Sequence, residues 1–93
     1  MFRKRKENRD KIVELMENIL LYGEAGDYEM AYNYVQELDK LIKYIPYSDR
    51  ESYMAVCEEV SNGYMLLLLH KCKDNIDSCK ELCEDIIEIC KGE

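Results

Sequence analysis

His70, Cys72, Cys79 and Cys83 form the pattern H-x-C-x6-C-x3-C, the densest cluster of metal-ligating residue types in this 93-residue chain. On a helix, positions 79 and 83 fall about one turn apart on one face, close enough for two thiolates to share a tetrahedral ion. His70 and Cys72 would complete the set by folding over from the preceding helix end, and mixed thiolate and imidazole ligands suit zinc. A plainer chemistry competes. Cys79, Cys83 and Cys90 continue an apolar spacing that begins at Ile76, and a cysteine at such a position is a small core residue. The spacing also differs from the usual zinc knuckles. The cysteines are therefore read as core thiols with no metal and no cofactor, and a zinc-type site at His70, Cys72, Cys79 and Cys83 stands as the alternative.

His70 is the only histidine. Asp74 lies one turn further on, but a catalytic imidazole also needs a nucleophile or a substrate held beside it. The sequence has no glycine-rich phosphate loop and no G-x-S-x-G. We expect a protein that is not an enzyme.

Tyrosine is the next candidate for function. Eight of the nine aromatic residues are Tyr, a side chain suited to surfaces that are sometimes wet and sometimes covered. Tyr44, Tyr47 and Tyr53 flank Pro46. Further on, Tyr64-Met65-Leu66-Leu67-Leu68-Leu69 is apolar for more than a full helical turn and so points in every direction. Tyr64 and Leu67 would face a helical neighbour, leaving Leu66 and Leu69 turned away from it. The expected partner-binding set is Tyr44, Tyr47, Tyr53, Tyr64, Leu66 and Leu69. Its occupant would be another protein or a second copy of the chain, giving a homodimer.

Charge narrows the partners. Residues 1–11 hold six basic and two acidic side chains, +4, and the remaining chain carries −11, for the net −7. An acidic body repels nucleic acid, so none is expected as a partner. It also raises the reading of a small acidic inhibitor or antitoxin-like protein that fills a basic cleft. The Arg3–Lys6 run precedes Glu7, Asn8, Arg9 and Asp10 rather than an apolar stretch, which reads against a secretory leader. Five cysteines, an odd number, fit a reducing, cytoplasmic setting. No apolar run approaches membrane-spanning length.

The elements that must position these residues are helices. Thr and Trp are missing, Pro occurs once, and Glu, Leu and Lys are the commonest residues, a composition that favours helix. A basic flexible arm over 1–9 is expected to lead into one helical domain over 10–93. Ile12, Leu15, Met16, Ile19 and Leu20 mark a first helix from about Asp10 to Tyr22, stopped by Gly23. Asp27 is placed to cap a second helix whose apolar face is Ala31, Tyr34, Val35, Leu38, Leu41, Ile42 and Ile45, ended by Pro46. Ser48-Asp49-Arg50-Glu51 reads as a capping box opening a third helix, with Tyr53, Val56, Cys57, Val60, Tyr64 and Leu67 as its stripe. Asn62-Gly63 in its middle predicts a bend or a close backbone approach. A fourth helix runs from about Asn75 to Lys91 with Ile76, Cys79, Cys83, Ile86 and Cys90 inward.

The expected fold is all-α, a small four-helix bundle built from two helical hairpins. The turn at Lys73–Asn75 is weak, so the alternative is one hairpin plus a long helix over 49–91 in a dimer.

Residues 12–46 resemble a single tetratricopeptide-like helical hairpin. The likeness sits in Leu15, Tyr22, Gly26-Asp27-Tyr28, Ala31 and Val35. Asn18 and Ile19 stand where that family has Leu and Gly, and Pro46 falls three residues late. Thirty-four residues on, Val60 and Met65 occupy the Gly26 and Ala31 positions, so the unit does not repeat. The resemblance implies a helical-hairpin fold and a tendency to bind peptides.

Overall fold

The computed structural model describes the backbone over residues 2–70 and 73–92, and side chains over 5–64 and 80–92. Among them run four α-helices and no strand: α1 (Phe2–Glu24), α2 (Tyr28–Tyr44), α3 (Tyr53–His70) and α4 (Lys73–Lys91), with a single 3-10 turn at Tyr47–Asp49 between α2 and α3. Each helix packs on the next and α4 returns against α1, closing a four-membered ring with principal extents of 39 × 23 × 18 Å. Two ion pairs fix the direction of α4. Lys80, near its middle, meets Glu24 at the end of α1, and Lys91 at its end reaches Glu17 at 3.6 Å. The fold is the expected all-α four-helix bundle of two hairpins. Because α3 packs along α4, the single long helix over 49–91 is not formed. None of the described helices is long and apolar enough to cross a membrane.

The core follows the three-and-four spacing closely. Ile12, Leu15, Met16 and Ile19 from α1 meet Ala31, Val35, Leu38 and Ile42 from α2, all nearly inaccessible to solvent. Cys57, Val60 and Tyr64 from α3 and Cys83, Ile86 and Cys90 from α4 complete it. On α3 the inward face is rotated from the expected stripe. Met54 and Ser61 are fully buried while Val56 is 40% exposed. A helix inside a ring touches two neighbours, so its buried arc is wide and is centred here on Cys57.

Three boundaries differ from the sequence expectations. First, α1 begins at Phe2, so residues 2–9 are helix rather than a flexible arm. Arg, Lys and Glu are good helix formers, nothing in that stretch breaks a helix, and Arg9 is held to Glu51 by hydrogen bonds of 3.1 and 2.6 Å. Second, Gly23 lies within α1, and the left-handed residue is Gly26, at φ +80°. The Asp27 amide donates to the Tyr22 carbonyl at 2.9 Å and the Gly26 amide to the Gly23 carbonyl at 3.2 Å. These are the two bonds of a Schellman termination, which requires that glycine conformation. Asp27 then caps α2, its carboxylate accepting from the Met30 amide at 3.2 Å. Third, the capping box at Ser48 does not form. Ser48 is exposed, residues 47–49 make the 3-10 turn, and α3 starts at Tyr53. Pro46 accepts from the Asp49 amide at 2.9 Å and so closes the corner in Ser48's stead.

Candidate functional site

Tyr44 and Tyr47 sit on either side of Pro46, where α2 stops because Ile45 is held extended ahead of the proline. Both rings stand in solvent, 84% and 92% exposed. Arg50 fastens the corner behind them. Its guanidinium donates to the Ile42 carbonyl at 2.9 Å, which also accepts from the Ile45 amide at 3.3 Å, and to Glu58 at 3.1 Å. The tyrosines therefore project from a braced turn.

The other members of the expected partner set lie elsewhere. Tyr53 and Tyr64 are buried, at 8% and 2% exposure. Tyr64 crosses the bundle to bring its hydroxyl within 3.4 Å of where a Cβ on Gly23 would lie. Both are core residues of the folded chain rather than surface contacts. Leu66 and Leu69, together with His70, Cys72 and Cys79 of the zinc-type alternative, lie outside the residues whose side chains are described. Cys83, the remaining member of that alternative, is buried in the core.

A second feature occupies the same end of the bundle, where the start of α1, the start of α3 and the end of α4 converge. A cavity of 340 Å³ opens between α1 and α4, lined by Lys6, Arg9, Asp10, Val13, Cys90 and Lys91. Val13 and Cys90 supply apolar surface, and the charged groups supply three cations against one carboxylate. Behind Cys90 stand Tyr53 and Cys57. Burial and the neighbouring Cys90 push the Cys57 thiol up to about 12, and burial pushes the Tyr53 hydroxyl well above its usual range. Groups so reluctant to ionise act as neutral donors at neutral pH, not as nucleophiles.

This cleft left little trace in the residue pattern. Its walls are separated by most of the chain, and of its residues only Cys90 belongs to the apolar stripe of its helix. The one available signal was the concentration of basic residues in the first eleven positions. Compared with protein-family models, curated proteins and solved structures, the chain matches none. Residues 12–46, which resemble a tetratricopeptide hairpin, form the antiparallel pair α1–α2. The functional reading rests on geometry.

Proposed function

We propose that this chain is a non-enzymatic protein–protein interaction module that presents the Pro46 corner to another protein or to a second copy of itself. The carrying observation is the exposure of Tyr44 and Tyr47 on a braced turn. Tyrosine offers a large contact area with few rotatable bonds, and aromatic anchors of this kind dominate binding energy in protein interfaces. Val56, exposed one turn into α3, extends the apolar character at the same end. The mixture of apolar rings and hydroxyls suits a surface that is stable alone and covered in a complex.

Light scattering at high micromolar concentration tests the homodimer form. A dimer mass that falls to the monomer mass in the Tyr44→Ser, Tyr47→Ser variant, with helicity unchanged, supports it. A monomer mass in the parent chain removes that form. The docking form is then tested with a photo-crosslinking residue at position 47 in cells, and the absence of any adduct ends the reading.

A further inference from the structure

Lys80 and Lys91 both turn toward α1, where they pair with Glu24 and Glu17. The opposite, outward flank of α4 is left with acids alone: Glu81, Asp85 and Glu88, all exposed. Elsewhere in the bundle carboxylates are matched by cations, as in Asp39 with Lys43, Glu51 with Arg9 and Glu58 with Arg50. None of the three α4 acids makes an ion pair or a side-chain hydrogen bond among the described residues. They are also spaced against one another. Glu81 and Asp85 stand at i and i+4, and Asp85 and Glu88 at i and i+3, where like charges repel.

The same flank carries large apolar side chains. Leu82 and Ile89 are 46% and 47% exposed. Seven residues separate them, so they stand on one face two turns apart, about 10 Å along the helix axis. Asp85 lies between them in sequence, and Ile89, Asp85 and Glu88 line a shallow depression in the surface. A single aliphatic side chain half in water needs no explanation, but two in register beside unpaired acids form a patch of definite chemistry. Its complement is an amphipathic helix with apolar side chains at i and i+7 and Lys or Arg beside them. Such a helix would bury the aliphatic pair and answer the acids with cations.

We propose that the outer face of α4 docks a basic amphipathic helix of a partner protein. Leu82 and Ile89 receive its aliphatic side chains, and Glu81, Asp85 and Glu88 pair with its cations. The chain's own net charge of −7 works against a second copy on so acidic a face. This surface shares no residue with the Pro46 corner, so either can fail without the other.

Titrating the full ¹⁵N-labelled chain with an amphipathic leucine–lysine peptide of about 14 residues, long enough to span the two-turn spacing, tests the proposal. Saturable shifts centred on the amides of 80–92 are expected. The leucine–glutamate counterpart, and a serine–lysine peptide of equal charge, should not saturate. Leu82→Ser with Ile89→Ser should weaken binding by about tenfold or more, as expected for the loss of two aliphatic anchors, while circular dichroism stays unchanged. Asp85→Asn with Glu88→Gln should also weaken binding and flatten its dependence on salt. This second pair covers the case in which the serine pair perturbs the fold. Tyr44→Ser with Tyr47→Ser should bind as the parent chain does. Failure of the leucine–lysine peptide to saturate, equal binding by either control peptide, shifts centred outside 80–92, loss of binding in the tyrosine variant, or undiminished affinity in the folded α4 variants would overturn the proposal.

Discussion

Cys57 is fully buried on α3, and its thiol titrates near 12 instead of the ordinary 9.0 because burial penalises the thiolate. In the unfolded chain the same thiol ionises near 9.0. Between those values the unfolded state has lost a proton that the folded state keeps, so stability falls as pH rises through that window and is complete below it. Tyr53, raised by its own burial, acts in the same direction at still higher pH. Denaturant melts at pH 8 to 11 should therefore show a steepening loss of stability that Cys57→Ala flattens. A parallel pH profile for the parent and the variant would refute this assignment. At Asp27 the bond to the Met30 amide predicts that Asp27→Ala costs about 1 kcal/mol. Ser48→Ala should leave the midpoint unchanged, since Ser48 makes no capping bond. Both are measured by urea denaturation. Ser48 is an N-cap residue type like Asp27 and even has Glu51 three residues on, but the proline two residues earlier leads the chain into a 3-10 turn first.

Helix α3 passes through Gly63 without interruption, and a Cβ built there would meet nothing within 4 Å. Neither a close backbone approach nor a left-handed conformation requires glycine at this position. Gly63→Ala should then stabilise the protein by about 0.5–1 kcal/mol, through helix propensity and a less free unfolded chain. A lower melting temperature would show that α3 needs the break the sequence suggested. Elements of this kind were largely legible beforehand. The inward faces of α1, α2 and α4 could be read from spacing alone, because a helix that buries one stripe leaves a period of three and four. The helix starts were less legible. Arg3–Lys6 reads as a solvated tail until Glu51, more than forty residues away in sequence, is seen holding Arg9. Met54 gives no sign that it turns inward, and only the packed ring shows that Glu51 and Met54 close the first turn of α3, with the Met54 amide donating to the Glu51 carbonyl at 3.0 Å. The cleft was the least legible, since residues 6–13 and 90–91 become neighbours only when α4 returns against α1.

At the scale of the whole bundle, the start of α1 and the end of α4 are brought together, and a polar tie fastens α1 to the α2–α3 corner. Arg9 on α1 holds Glu51 ahead of α3 through Nε and Nη2, both directed at the same carboxylate oxygen, with side chains only 21% and 13% exposed. The two halves of this pair are not equivalent. Glu51 is the more buried, and its second oxygen already lacks a partner. Removing Arg9 strips a largely buried carboxylate of the cation bonded to it, whereas removing Glu51 leaves a guanidinium that lines the open cleft. Arg9→Met should therefore cost about 3 kcal/mol and Glu51→Met clearly less, because an orphaned buried charge is penalised beyond the loss of the bond itself. The double variant should be more stable than Arg9→Met alone, since the second change deletes the stranded charge. Urea melts of the three variants complete a double-mutant cycle. Equal costs for the two single variants, or a double variant less stable than either, would mean that Glu51 is solvated and that the tie between α1 and the corner is a surface pair of little consequence.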